Sequence, residues 1–168
     1  MRKQFEAYLA AVNKHDTDKA LSYLSSSFQL KFADYDYVID KKRFVHVLGW
    51  DKGVNGKITC SDLEEEKYSI KGLFSERNDF FQLIGIDALT ATMVFWFDQR
   101  GLIIRQVYMP LAGQPSLKEK LKPAVEWARA NRPEELEAIY PQEQMQYNQE
   151  MAERWVALLK EWKAAVPA

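Results

Sequence analysis

Asp34 and Asp36 flank Tyr35 near the end of an alternating apolar stretch, and a carboxyl pair so placed is material for acid–base work once one member is desolvated. Aspartates at a hairpin also bond neighbouring backbone amides, so the same pair reads equally as a turn. The remaining polar candidates, Tyr8, Tyr37, Trp50, Asn78 and Tyr108, show no diagnostic spacing from one another. His15 and His46 are far apart, and neither has a spaced histidine, aspartate or glutamate companion that would make a metal set. Cys60 is the only cysteine, which excludes an internal disulfide and every multi-cysteine zinc site and leaves the compartment open. The signatures of nucleotide binding and covalent hydrolysis are missing: there is no Gly-rich phosphate loop, no Gly-x-Ser-x-Gly elbow and no Cys–His pairing around Cys60. No cofactor and no metal are expected.

Such groups need a scaffold, and the composition describes one. A chain of 168 residues is about one domain and long enough to bury a core without staples. Apolar residues at 47% and charged residues at 28% give a globular balance rather than a disordered one. Twenty-three basic against twenty-four acidic residues leave a net charge of −1, so no field draws phosphate backbones, and nucleic acid is not an expected partner. No apolar run reaches the ~20 residues that a membrane-spanning helix needs. The sequence enters a helical pattern directly after Met1, with no apolar signal core before it, which predicts a cytoplasmic protein as written. An exported protein whose signal had been removed would read the same way.

Phe5, Tyr8, Leu9 and Val12 recur at helical spacing, and Asp16 caps a short second helix through Leu24. Phe28, Leu30 and Phe32 alternate with polar residues as a half-buried strand does, and Tyr35, Tyr37 and Ile39 supply its hairpin partner. Asp40 caps a third helix carrying Phe44, Val47 and Leu48, which Gly49, Gly53 and Gly56 are expected to break. Strands follow over 57–63, 67–74, 89–97 and 102–109, with one helical turn over 78–84. Beyond Pro110, Ser116 and Glu119 form a capping box, and helices rich in tryptophan continue to the end. The fold class is α+β: N-terminal helices packed in a strongly curved antiparallel sheet, a cone-like half-barrel, plus C-terminal helices. Residues 1–110 form the cone, and 111–168 form a helical extension packed on the same domain.

Two stretches, Tyr8 to Asp18 and Val94-Phe95-Trp96-Phe97-Asp98-Gln99-Arg100-Gly101-Leu102-Ile103, resemble helix-turn and hairpin signatures of the nuclear-transport-factor-2-like superfamily. That superfamily includes ketosteroid isomerases and SnoaL-like polyketide cyclases, and the resemblance covers about two thirds of the chain. Ketosteroid isomerases pair a helix-one tyrosine with a protonated aspartic acid as an oxyanion hole and use a second aspartate as base. The resemblance puts Tyr8 at the tyrosine, Phe32 at the base and Met93 at the acid. A phenylalanine accepts no proton and a methionine donates no hydrogen bond, so this isomerase chemistry is not expected.

With Met93 facing inward, Phe95 and Phe97 do too, beside Phe28, Leu30 and Phe32 on the first strand. These side chains either fill the core or wall a cavity of the mostly apolar kind that holds small molecules. The favoured function is non-catalytic binding of a small lipophilic or amphipathic ligand by Tyr8, Phe32, Tyr37, Trp50, Met93, Phe95 and Tyr108. The alternatives are an isomerase, cyclase or dehydratase using a cavity carboxylate such as Asp34, with Tyr8 as donor, and a protein-interaction module. Val94 and Trp96 point outward and need a cover. Either the tail with Trp127, Trp155 and Trp162 provides it, or a homodimer through the sheet does.

Overall fold

Phe5, Tyr8, Ala11 and Val12 lie on the buried face of α1 (Arg2–Asn13), as a 3.6-residue period dictates. Asn13 fastens the end of that helix to the sheet, its side chain donating to the Ile58 carbonyl and accepting from the Ile58 N–H, both at 2.7 Å. His15 turns the chain with a left-handed φ of 57°, and Asp16 caps α2 (Thr17–Ser22) by accepting from the Lys19 N–H at 3.1 Å. The computed structural model describes residues 1–166.

The strands β1 (Leu24–Phe32) and β2 (Tyr35–Asp40) form the expected hairpin. Asp40 closes β2 and caps α3 (Lys41–Gly53) through the Arg43 N–H at 2.8 Å. A meander follows through β3 (Lys57–Glu65), β4 (Ser69–Arg77), β5 (Leu89–Phe97) and β6 (Ile103–Pro110), with α4 (Asp79–Leu83) between β4 and β5. The six strands are ordered β2-β1-β6-β5-β4-β3. All neighbours are antiparallel except β1 and β6, which run parallel, so the sheet is mixed where the sequence predicts an antiparallel one. Period-two alternation says which face a side chain takes but carries no information on which strand lies beside it or in what direction.

Register lays out the inner face in rows. Leu30, Gln106, Phe95 and Ile70 form one row, and Phe32, Tyr108, Met93 and Gly72 form the next. The first row is roofed by α1, where Phe5 meets Phe95 edge-on at 5.2 Å and Phe74 at 6.0 Å.

A second core lies on the other side of α3. It joins Trp50, Val54, Phe80 and Ile86 to the tail helices α5 (Leu117–Asn131), α6 (Pro133–Ile139) and α7 (Gln149–Ala165). Trp155, 0% exposed, sits at its centre against Phe80 at 5.8 Å and Tyr140 at 5.4 Å. The tail therefore buries its tryptophan against α3 and α4. On the outward face of the sheet, Val94 and Trp96 stay half-buried, with the Arg105 guanidinium 5.6 Å from the centre of the Trp96 ring.

Gly49 does not break α3, which runs on to Gly53. These glycines admit α7 instead: a Cβ on Gly53 would stand 2.6 Å from the Ala152 Cβ and 2.7 Å from the Gln149 carbonyl oxygen. Gly53→Ala is expected to lower the unfolding free energy by about 1–3 kcal/mol, because backbone cannot step aside as a side chain can. Gly49→Ala, whose Cβ would lie 3.2 Å from the Gln149 nitrogen, should cost less. Urea denaturation of both variants checks the order.

Candidate functional site

A cavity of about 940 Å³ opens between the inner face of the sheet, α3, α4 and the tail. Tyr8 of α1, Phe32 of β1, Tyr37 of β2, Trp50 of α3, Met93 of β5 and Tyr108 of β6 all line it. Phe32 and Tyr108 touch across the strand pair at 5.7 Å. Tyr37, 54% exposed, stands at the rim with Arg43 and His46, which are also exposed. The segment before α7 closes part of the opening, where Tyr147 meets Trp50 edge-on at 5.0 Å.

Two of the residues named from sequence lie elsewhere. Phe95 is one row deeper, 2% exposed and packed against Phe5, Tyr8 and Phe74, so it belongs to the core beneath the cavity. Asp34 is at the exposed tip of the β1–β2 hairpin, with Asp36 exposed beside it. Asp34 sits in the turn between β1 and β2 and Asp36 lies on β2, and neither is among the residues that line the cavity.

The cavity's ionisable groups come from positions that motif reading passes over. Asp51 of α3 and Glu76 of β4 both line it. Asp51 follows Phe44 by seven residues and Leu48 by three, so it falls on the apolar face of α3. Glu76 continues the inward alternation of Ile70, Gly72 and Phe74. A carboxylate on an apolar stripe was the available signal. It was masked because Asp51 reads as a polar residue at a helix end and Glu76 as one at a strand end.

Burial raises the Asp51 carboxyl well above the usual aspartate range, and the charge of Glu76 adds to the rise. Burial raises Glu76 as well, but the Asn78 amide opposes it by donating to Glu76 Oε1 at 2.7 Å. Asn78 is held for this task, because its own Oδ1 caps α4 by accepting from the Phe81 N–H at 2.7 Å. The two carboxyls thus have unequal surroundings. With one proton between them, it rests on Asp51 and the charge rests on Glu76.

The tyrosines respond to these charges. The Tyr8 hydroxyl is pushed up by burial and then by Asp51, and Tyr108 by burial and then by Glu76. Tyr147 is pushed up by burial, by Tyr140 and by Glu76. All three remain neutral donors at neutral pH. Gln106, 6% exposed and on the row beside Tyr108, lines the same space with its Oε1 buried and without a hydrogen-bond partner. Among the described residues, no group of three or more His, Cys, Asp or Glu side chains is placed to hold a metal ion, and no helix is long and apolar enough to cross a membrane.

No family model and no curated protein matches the sequence, but solved structures match its fold. One is an NTF2-like protein of unknown function from Cytophaga hutchinsonii, with a TM-score of 0.51, 12% identity and coverage of 64% of this chain and 86% of that one. Another is the epoxide hydrolase/cyclase-like enzyme SalBIII of pyran ring formation in the polyether salinomycin, with a TM-score of 0.56, 14% identity and coverage of 66% and 90%. A third is a protein of unknown function with a cystatin-like fold from Methylobium petroleophilum, with a TM-score of 0.56, 17% identity and coverage of 70% and 79%. The chain has the nuclear-transport-factor-2-like fold.

A carboxyl whose folded-state pKa is raised by burial carries no charge penalty below its unfolded pKa, and stability is lost as pH rises from there through the folded value. Asp51→Asn removes that loss. Its melting temperature should exceed that of the wild type at pH 8, and the gap should shrink steadily towards pH 4. A difference that stays constant across this range would show that Asp51 is not the titrating group.

Proposed function

On the nuclear-transport-factor-2-like scaffold, we propose that this chain binds a small apolar or amphipathic molecule in its cone and moves a proton on it, as an isomerase, cyclase or dehydratase does. The observation that supports this reading is the inward-facing Asp51–Glu76 pair with its unequal surroundings. Two carboxyl groups whose environments push their proton affinities apart are a ready assignment of acid and base.

In this reading, protonated Asp51 donates to an oxygen of the bound molecule. Glu76, ionised and steered by Asn78, takes a proton from carbon or from a hydroxyl group. Tyr8, kept neutral by burial beside Asp51, adds a hydrogen bond to charge that develops on that oxygen. Phe32 and Met93, at the ketosteroid isomerase base and acid positions, give apolar wall instead. Proton transfer on this scaffold would therefore run from α3 and β4. The match to the SalBIII fold is consistent with cyclase-like chemistry and does not specify it.

A purely binding role is the second reading, supported by the apolar residues that make up most of the wall. Exchange into D2O separates the two. With a panel of cyclic ketones followed by NMR, the wild type should exchange hydrogen α to the carbonyl faster than buffer does. Glu76→Gln should reduce the enzymatic rate by about 10²- to 10⁴-fold, the usual contribution of a positioned base, while ligand binding persists. Equal exchange in the wild type, Glu76→Gln and buffer, with binding retained, would leave the binding role alone standing.

A further inference from the structure

We propose that the molecule taken into this cavity is a lipophilic amine, bound as its ammonium, with Glu76 and the surrounding aromatic rings meeting its positive charge. The inference rests on the reading of the cone as a ligand site and deepens it by naming the ligand's chemical class.

The interior presents acceptors without a cation. Asp51, Glu76 and Gln106 are all among the residues that line the cavity. Neither carboxyl takes part in any of the ion pairs among the described residues. Glu76 receives one side-chain hydrogen bond, from Asn78 to Oε1, and the Gln106 Oε1 receives none. The basic side chains that do line the cavity, Arg43 and His46, stand exposed at its rim, where water screens them.

A ligand hydroxyl would leave the charge on Glu76 uncompensated. Desolvating an unpaired carboxylate costs more than leaving an amide oxygen unpaired, so the larger gain comes from a ligand that brings positive charge.

The rings around the carboxyls strengthen the same preference. Trp50 meets Phe80 at 5.7 Å and 65° and Tyr147 at 5.0 Å and 61°, so aromatic surfaces at different angles border one end of the cavity. Tyr108 and Tyr147 both sense the charge of Glu76. An ammonium among ring faces gains cation–π attraction that an alcohol of the same shape lacks, and the gain grows as water is excluded. Asp51 keeps its proton in this arrangement, and the second Glu76 oxygen, not engaged by Asn78, faces the cation.

Isothermal titration with ligands of one shape and three charges tests the assignment: 2-(1-naphthyl)ethylamine, 2-(1-naphthyl)ethanol and 1-naphthylacetate at pH 7, with N-acetyl-2-(1-naphthyl)ethylamine as a neutral amide control. The amine should bind the wild type about tenfold or more tightly than the alcohol and the amide, a step the size of a desolvated cation–π contact. The carboxylate should bind weakest. In Glu76→Gln the amine should fall to the affinity of the alcohol, with the alcohol itself changed by less than about twofold. Alcohol binding equal to amine binding in the wild type would overturn the amine assignment and leave the cavity reading intact. Tightest binding of the carboxylate would overturn the assignment in favour of capture by Arg43. Retention of the amine preference by folded Glu76→Gln would remove Glu76 from the role. Binding of none of the four compounds by folded wild type would overturn the assignment together with the cavity reading.

Discussion

Two carboxyl groups that line one poorly solvated cavity disfavour each other's ionisation, and Asp51 and Glu76 stand under that constraint. Both are half-buried beside apolar neighbours, which favours the neutral form of each, and the charge of Glu76 makes ionisation of Asp51 harder still. Placing them there costs stability that apolar burial elsewhere must offset. The cone core of Phe5, Phe28, Phe74 and Phe95 lies on one side of α3, and the tail core around Trp155 lies on the other.

Helix α3 is the element on which this arrangement turns. Phe44 and Leu48 enter the cone core, Trp50 enters the tail core, and Asp51 faces the cavity. One helix can serve three environments because successive residues are rotated by about 100° around its axis. The close approach of α7 at Gly53 then decides where the chain before α7 lies, and that chain places Met145 and Tyr147 on the cavity. The tail is thus part of the site's wall, and its packing against α3 and its share in the cavity are consequences of the same helix crossing.

The strands, the three N-terminal helices and the inward stripe through Met93 were readable because alternation and capping are local signals. Tyr8, Phe32, Tyr37, Trp50 and Tyr108 were readable as inward or rim residues for the same reason. The parallel pairing of β1 with β6 was not, since nothing in either strand's pattern names its neighbour. Gly49 was misread because a glycine that breaks a helix and one that admits a second helix look alike in sequence, and only the position of Gln149 separates them. Asp51 and Glu76 needed the converse of the usual motif search. They are single charges on otherwise apolar stripes, and their meaning comes from an encounter across the fold rather than from spacing along the chain.

Phe32 and Met93 belong to the apolar part of the cavity wall. Those two residues flank Tyr108 in one row of the inner face, so that part of the wall is apolar apart from the hydroxyl groups of Tyr108 and, at the rim, of Tyr35 and Tyr37. The carboxyls enter from α3 and β4, with Tyr8 from α1 beside Asp51. An interior that is apolar at one end and acidic at the other would orient an amphipathic molecule before any contact specific to it formed, because reversal would bury its polar atoms against Phe32 and Met93 and leave Glu76 unsolvated. Phe32 and Met93 thus lie on β1 and β5, while the carboxyl groups of the cavity come from α3 and β4.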